Sequence, residues 1–334
     1  MRVDDSFAYG EVTAQRVTFI TWYPSCRRSD ALAKALGGVS HLIHYFTFKK
    51  PLHAPFKYIL QSWETLRRLT REKPHVVLVA SPPVFAAVIV WLYCRLSGAR
   101  YIMDAHTGVF DDARWTWLLP LSRFLARRAQ AVIVTNAHLQ ATVSSWGARA
   151  IVIGDVPVEF PPVTPAALGE GFHVVVVNTF SQDEPIDEIL AAARSLPDVQ
   201  FHVTGNRKHA RNRVTAPLPV NATLTGWLSE QDYAALLQAA SAIMCLTTHD
   251  HTMQRGAYEA MAVEKPLITS NWALLRETFY SGTIHVGNTA QDIAAGVTLA
   301  MAERSGLEQG MRQLRRERTT VFDANLRKLQ DTLI

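Results

Sequence analysis

Short apolar runs alternate with amphipathic stretches along almost the whole chain of 334 residues. This alternation is typical of βαβ units, in which buried parallel strands are covered by helices on both faces of a sheet. The predicted strands form a first series, RVTFITW, HLIHYF, HVVLVAS, ARYIMDAH, AVIVTN and AIVIGD, and a second series, HVVVVNTF, VQFHVTG, ATLTG, AIMCLTT, PLITS and TIHVG. The pattern therefore predicts an α/β protein built on parallel sheets.

A segment rich in proline and glycine separates the two series of strands. It reads VPVEFPPVTPAALGEG at residues 156–171 and shows no periodicity, so it is the best candidate for a linker. The chain is also too long for one ordinary core and suits two domains of about 150 residues each. We expect two tandem Rossmann-like, doubly wound domains, residues 1–160 and residues 161–314, that face a cleft.

Ligands of doubly wound sheets bind at the carboxyl ends of the strands, and Asp104 and His106 stand at such an end, that of ARYIMDAH. An isolated histidine is more often a capping residue or a residue at the rim of the core. The position of His106 at a strand end favours a functional role. Asp104 can orient the imidazole ring, bind an acceptor or simply cap the next turn.

Residues 251–271, HTMQRGAYEAMAVEKPLITSN, read as a loop, a helix and a buried strand. The N-terminus of a helix presents unpaired N–H groups and a partial positive charge, which favour phosphate. Glu259 lies one turn into this helix, where its carboxylate can accept hydrogen bonds from two neighbouring ribose hydroxyls. The segment therefore suits a nucleoside diphosphate.

The stretch EAMAVEKPLITS resembles the signature of GT-B glycosyltransferases of the large retaining family four. That signature places a first glutamate eight residues before Glu259, where this chain has His251 instead. The resemblance implies a metal-independent, retaining transferase that moves a sugar from a UDP-sugar or GDP-sugar to a hydroxyl of a glycan or lipid-linked acceptor. It implies that Glu259 holds the ribose, that His106 contacts the sugar, and that the leaving phosphate receives the acceptor's proton.

The resemblance also assigns the two domains and the end of the chain. It makes residues 1–160 the acceptor-side domain and residues 161–314 the donor domain, and it implies that a last helix, about residues 315–334, packs back on the first domain. The expected setting is polysaccharide or glycoconjugate biosynthesis.

The departing diphosphate needs positive charge or N–H donors, and the family's usual Gly-Arg and Lys pair is missing here. The segment NTFSQDEPIDEIL replaces it, and no Lys or Arg occurs between Val174 and Leu190. Arg255, in the first turn of the predicted helix, is the leading substitute, and it is counted with His106 and Asp104 among the catalytic candidates. The other donor-binding candidates are His251 and the backbone at Thr252, Met253 and Gln254. Arg207 and Lys208 either line the nucleotide pocket or belong to a solvated loop. The turn Thr179, Phe180 and Ser181 is as easily a plain turn as a phosphate contact.

Arg27 and Arg28 open the first predicted helix, where the family often has a glycine-rich loop. Two arginines at a strand-to-helix turn can hold a phosphate, here that of a lipid-diphosphate acceptor. The equal alternative is that Ser29 or Asp30 is an ordinary N-cap and the arginines beside it are solvated.

The remaining features bear on location and partners. Three widely spaced cysteines, the absence of an apolar N-terminal signal, and the interruption of the run from Val76 to Leu96 by Pro82 and Pro83 predict a cytoplasmic protein. The net charge is +5, but no nucleic-acid-binding motif and no cluster of metal ligands is present. Basic and aromatic residues alternate between residues 49 and 73, which fits either peripheral contact with an anionic membrane or a solvated helix face.

Two further classes of function stay open. A GT-B sugar-nucleotide epimerase would use the donor alone and release free nucleoside diphosphate without an acceptor. A catalytically silent, glycosyltransferase-like scaffold fits the loss of the first signature glutamate and of the cation pair. The presence of Glu259 and His106 favours an enzyme, because a scaffold has no need of a ribose-binding carboxylate.

Overall fold

The computed structural model describes residues 16–46, 54–154, 156–250 and 252–333. The chain divides into two compact units. Unit 1 comprises Met1–Val156 together with Phe322–Ile334, and unit 2 comprises Pro157–Val321. Each unit is built on one six-stranded, fully parallel sheet, so the predicted α/β class with two doubly wound units is confirmed.

In unit 1 the strand order is β2-β1-β3-β4-β5-β6. The strands are β1 Val17–Thr21, β2 Val39–Leu42, β3 Val76–Ser81, β4 Arg100–Ala105, β5 Ala131–Val134 and β6 Ala150–Val152. The helices are α1 Arg27–Ala35, α2 Ala54–Glu72, α3 Val84–Ser97, α4 Gly108–Asp111, α5 Ala113–Thr116, α6 Leu119–Ala126 and α7 Ala137–Ser145.

In unit 2 the strand order is β12-β11-β10-β7-β8-β9. The strands are β7 Phe172–Val176, β8 Val199–Thr204, β9 Ala222–Gly226, β10 Ala242–Cys245, β11 Leu267–Ser270 and β12 Thr283–Val286. The helices are α8 Ile186–Arg194, α9 Arg207–Ala210, α10 Glu230–Ala239, α11 Arg255–Ala262, α12 Ala273–Thr278, α13 Ala290–Ala302 and α14 Arg304–Leu333.

Both faces of each sheet are covered, as continuous apolar strands require. In unit 1 one face packs against α2, α3, α6 and α7, and the other packs against α1 and the end of α14, where Leu329 and Leu333 are buried. In unit 2 two hydrophobic clusters lie on opposite faces, one around Phe201 and one around Phe279. The run from Val76 to Leu96 forms strand β3 and then helix α3, with Pro82 and Pro83 between them.

In the part of the chain that the structure describes, no helix is both long and apolar enough to cross a membrane.

Candidate active site

At the carboxyl edge of the unit 1 sheet, Asp104 is the penultimate residue of β4 and His106 follows the strand. Because alternate residues of a strand point to the same side, the two side chains lie together. His106 Nε2 is 3.2 Å from Asp104 Oδ2. The Asp104 side chain is only 1% exposed, whereas His106 remains about one-third exposed, at 31%. Asp104 can therefore orient the ring, but it does not itself face solvent.

Arg28, from the first turn of α1, supplies the charge that balances Asp104. Its Nε and Nη2 atoms donate to the carboxylate at 3.1–3.3 Å, and its other N–H groups donate to the carbonyls of Ile153 and Gly154 after β6. Burial by itself would raise the pKa of Asp104, but the charges of Arg28 and His106 outweigh it, so this pKa lies well below its usual range. The carboxylate therefore stays ionised inside the unit.

These contacts correct the prediction that Arg28 binds an acceptor phosphate. Its guanidinium is buried and committed to Asp104 and to two carbonyls, whereas Arg27 is exposed at the start of the helix. The alternative of Ser29 or Asp30 as N-cap is also wrong, because the N-cap is Cys26. Ser29 lies inside the first turn, where its hydroxyl accepts from Thr21 Oγ1 at 2.7 Å.

In unit 2, Glu259 lies one turn into α11, where the sequence pattern placed it, and the structure shows it on the buried side of the helix. Tyr233 of α10 donates its hydroxyl to Glu259 Oε2 at 2.6 Å, and Arg255, one turn earlier on α11, lies 3.2 Å from Oε1 through its Nε. Burial, and then the neighbouring carboxylate, raise the pKa of Tyr233 well above its usual value, so the hydroxyl keeps its proton and remains a donor. Arg255 and Glu259 are thus brought together, with Tyr233 as a third member.

The first turn of α11 packs directly on the buried thiol of Cys245, at the end of β10. The backbone N–H groups of Gly256 and Ala257 point to this sulfur, and the thiol donates to Gln254 Oε1 at 3.1 Å. Burial raises the pKa of Cys245, so the group remains a thiol. A Cβ on Gly256 would lie 2.8 Å from the sulfur, which explains the glycine. The Gln254 side chain is thereby turned inward, toward the core.

In the turn after β7, the hydrogen-bond donors are paired with a carboxylate from the same turn. The backbone N–H groups of Thr179 and Ser181 and the Thr179 hydroxyl all donate to the carboxylate of Glu184, at 2.8–3.2 Å. Burial raises the pKa of Glu184, although these hydrogen bonds oppose the shift. The donors that were predicted to meet a phosphate are therefore satisfied by a side chain of the same turn.

Phe180, in the middle of this turn, is a core residue. It has a positive φ of 61°, and its ring is buried against Gly205 after β8. A Cβ on Gly205 would lie 2.8 Å from the ring and 2.4 Å from the carbonyl oxygen of Asn178. The turn and the end of β8 therefore fit together only with glycine at this position, and the Phe180 side chain is not presented to a ligand.

The ends of β7, β10 and β11 are joined by polar contacts that the sequence did not reveal. Asp183 accepts from Thr247 Oγ1 at 2.9 Å, and its carbonyl accepts from the backbone of Thr248 at 2.7 Å. Ser270, at the end of β11, accepts from the backbone N–H of Thr247 and donates to Asn288. The carboxyl edge of this sheet, which is the edge where doubly wound folds bind ligands, is thus held together by side-chain hydrogen bonds.

Two family models match the chain, one for each unit. A model described as "Glycosyl transferase 4-like domain" matches residues 15–159, and one described as "Glycosyl transferase-like" matches residues 184–324. Together they span most of the sequence and both sheets. The chain belongs to the family-four-like GT-B glycosyltransferases.

Similar proteins agree with this GT-B assignment. Over 220 residues the chain is 24% identical to the chitobiosyldiphosphodolichol beta-mannosyltransferase of Pongo abelii, a match that covers 59% of this chain but only 45% of that relative's length. Sucrose-phosphate synthase from Thermosynechococcus elongatus has the same fold, with a TM-score of 0.69, 14% identity and coverage of 95% and 98% of the two chains. HepE of Anabaena, crystallised with UDP and glucose, gives a TM-score of 0.70, 12% identity and coverage of 95% and 100%.

The other donor-binding candidates of this GT-B chain are dispersed. Arg207 and Lys208 are exposed on the short helix α9, where Arg207 donates to the carbonyl of Leu224 at 2.9 Å. Thr252 and Met253 are half-buried before α11, and Met253 packs against the core. His251 lies outside the described residues.

Three residues of the candidate site were not predicted from the sequence: Tyr233, Asp183 and Glu184. Tyr233 stands in an ordinary helical pattern with no motif around it. The two acidic residues did carry a signal, because a carboxylate a few residues after a strand end can accept from the turn that it closes. No group of three or more residues suited to hold a metal ion occurs in the described ranges.

Proposed function

We propose that this protein moves a sugar from a nucleoside-diphosphate sugar to a hydroxyl of a glycan or lipid-linked acceptor, in polysaccharide or glycoconjugate biosynthesis. The single observation that carries the proposal is the buried Glu259 on α11, oriented by Tyr233 and Arg255. A carboxylate oriented in this way suits two adjacent ribose hydroxyls. UDP in the complex of the similar HepE, and a diphosphodolichol-linked sugar in the name of the mannosyltransferase relative, support this choice of donor and acceptor.

In the proposed donor complex, Glu259 accepts the hydrogen bonds of the ribose. Tyr233 occupies one side of Oε2, and each carboxylate oxygen has a second lone pair for a ribose hydroxyl. The Arg255 side chain is 45% exposed, so its guanidinium can turn from Glu259 Oε1 to a diphosphate oxygen without disturbing the packing of the core. Such a move would replace one charge-assisted hydrogen bond by another.

Arg255 is the proposed source of positive charge for the leaving diphosphate. The turn at Thr179 and Ser181 has its N–H groups on Glu184, which supports a source elsewhere. Arg207, Lys208 and the backbone before α11 remain secondary candidates. A charge fixed next to the diphosphate stabilises the negative charge that develops as the sugar departs.

The proposed reaction retains the configuration of the sugar. The bond between the anomeric carbon and the diphosphate oxygen breaks, the acceptor oxygen forms its bond on the same face, and the acceptor's proton passes to the leaving phosphate. Protein groups then act mainly by position and charge. His106 is the proposed contact to the sugar, and Asp104 is its positioning residue, because it lies 3.2 Å from Nε2 and is itself buried.

The proposed setting is the cytoplasm, at the inner face of the membrane, without a resident metal. Three free cysteines in the described chain fit a reducing compartment.

Because the proposed reaction needs no metal ion, transfer should continue in the presence of EDTA. A loss of turnover that Mg²⁺ or Mn²⁺ restores would contradict metal independence.

The first experiment is a thermal-shift series with UDP, GDP and ADP and their common sugar conjugates. One nucleotide is expected to raise the unfolding temperature by about 2–4 °C, in line with binding at many times its Kd. The variant Glu259→Gln should lose this ligand-induced increment, whereas Glu303→Gln, an exposed glutamate at the end of α13, should keep it. No increment from any nucleotide would reject the proposal in favour of a scaffold.

Incubation of the bound nucleotide-sugar with and without candidate acceptors then separates the enzyme classes. Release of nucleoside diphosphate only when an acceptor is present supports transfer, and the anomeric configuration of the product by NMR tests retention. Release of nucleoside diphosphate and rearranged sugar without any acceptor would identify an epimerase instead.

A further inference from the structure

Helix α2 of unit 1 has polar side chains on its buried side. Gln61 donates to the carbonyl of Ile43 at 2.7 Å, and Thr65 accepts from the indole N–H of Trp22 at 2.9 Å. Glu64 is buried as well and accepts from the guanidinium groups of Arg67 and Arg68, one turn further along the helix. Specific hydrogen bonds therefore fix which side of α2 faces the unit.

The opposite side of α2 exposes four large apolar side chains. Phe56, Ile59, Trp63 and Leu66 are 56%, 65%, 63% and 37% exposed. Their spacing of three and four residues places them in one row along the helix. Single exposed apolar residues are common, but a row of four beside a polar buried side is the mark of a surface that meets an apolar partner.

The apolar row ends in positive charge. Arg67 and Arg71 are exposed in the last turns of the helix, and the Arg67 guanidinium lies 5.7 Å from the centre of the Trp63 ring. The surrounding unit is basic too: unit 1 contains 21 Lys and Arg against 12 Asp and Glu, whereas unit 2 contains 13 against 17. The basic excess of the protein is therefore confined to the unit that carries the exposed row.

We propose that the exposed face of α2 docks on the surface of a membrane that contains anionic phospholipid. A bilayer surface offers apolar depth for the phenyl and indole rings and negative headgroups for the arginines. A second copy of the chain fits less well, because no exposed residue of α2 is acidic and the same face of a partner would offer the arginines no opposite charge. This docking rests on the proposed function, whose membrane contact it assigns to the exposed face of α2.

The test is sedimentation of the full-length protein with vesicles, without any nucleotide or acceptor. Vesicles of phosphatidylcholine alone are compared with vesicles of phosphatidylcholine and phosphatidylglycerol at low and high salt. The variant is Ile59→Ser with Trp63→Ser, two side chains that already face solvent. The matched control is Leu299→Ser with Met301→Ser, which are exposed on α13 of unit 2 at 43% and 41%.

The native chain and the control should bind the anionic vesicles, with weaker binding at high salt. The α2 variant should bind roughly tenfold more weakly or worse, because two deeply inserted apolar groups are removed. The proposal is overturned if the native chain binds neither kind of vesicle, if both kinds bind equally, or if the α2 variant binds as the native chain does. A concentration-dependent dimer that the α2 variant abolishes would instead assign the face to a second copy.

Because the vesicle assay contains no sugar nucleotide, its outcome is independent of nucleotide binding. If the chain binds vesicles but no nucleotide, the docking surface is supported and the proposed function is refuted. If it binds a nucleotide but no vesicles, the proposed function is supported and the docking surface is refuted.

Discussion

Replacement of Arg28 by methionine tests whether the buried ion pair holds the carboxyl edge of unit 1 together. The change removes the guanidinium that donates to Asp104 and to the carbonyls of Ile153 and Gly154. It leaves a carboxylate that is 1% exposed, with His106 Nε2 still 3.2 Å from Oδ2. Loss of one partner of a buried ion pair destabilises a protein by about 3–5 kcal/mol, so we expect the free energy of unfolding to fall by about 4 kcal/mol. With a urea dependence of about 3 kcal/mol/M, the midpoint should fall by roughly 1.3 M.

The pH dependence identifies the charge as the cause. In the native chain the pKa of Asp104 is lowered, so its stabilisation is present above the unfolded pKa and is lost as the pH falls through the folded pKa. In the variant, burial is no longer opposed by Arg28, so the pKa of Asp104 should rise above the unfolded value. The penalty should therefore grow as the pH rises above ~4, where the unfolded carboxylate ionises but the folded carboxylate of the variant does not, and it should shrink at acidic pH only as the pH falls through the low folded pKa of the native chain.

Urea denaturation followed by tryptophan fluorescence suits the assay, because six of the eight tryptophans, at positions 22, 63, 91, 115, 117 and 146, lie in unit 1. The control is Arg114→Met, which breaks an exposed pair with Asp112 and should change little. Adding Asp104→Asn to Arg28→Met should restore part of the stability, because the buried charge is gone. A loss below about 1 kcal/mol, or a loss that does not vary with pH, would refute the reasoning.

Three further substitutions probe unit 2. Gly256→Ala should lower the free energy of unfolding in urea by about 2 kcal/mol, because its Cβ would lie 2.8 Å from the sulfur of Cys245. The control Gly306→Ala, whose Cβ would have no atom within 4 Å, should stabilise slightly, and equal effects of the two changes would contradict the packing argument. Tyr233→Phe should weaken UDP binding about fivefold in calorimetry, the equivalent of one lost hydrogen bond, and unchanged binding would remove its positioning role. Arg255→Gln should weaken UDP about tenfold and leave uridine unaffected, and an equal loss for both ligands would show that it does not act on phosphate.

Much of the fold could be predicted from the sequence because apolar periodicity reports burial directly. Strands such as β3 are buried on both faces, so they read as continuous apolar runs, and Pro82 and Pro83 mark the point where β3 gives way to α3. Strand ends were harder to predict: HLIHYF was expected to be one strand, but β2 ends at Leu42. A strand ends where its pairing with a neighbouring strand ends, and the sequence of one strand alone does not determine that pairing.

The candidate site could be predicted less well, because the role of a charged residue depends on where its partner lies. Arg27 and Arg28 are neighbours in the same first turn, yet one is exposed and the other is buried on Asp104, 76 residues away along the chain. Periodicity could not choose between them. The same holds for Glu259, whose place on α11 follows from its motif but whose partner Tyr233 comes from a separate helix.

Acceptor groups of the chain itself also explain why the predicted phosphate contacts and the observed contacts differ. A strand end or a helix start is a good anion site only while its N–H groups are unpaired. Here Glu184 occupies the turn after β7, and Cys245 faces the first N–H groups of α11, so two of the sites that the sequence suggested are filled by the chain itself. Arg255 differs, because its partner Glu259 is also the proposed ribose ligand and its own side chain is partly exposed. A diphosphate that draws Arg255 away from the carboxylate would free Oε1 for the ribose at the same step, so binding of the two halves of the donor would reinforce each other.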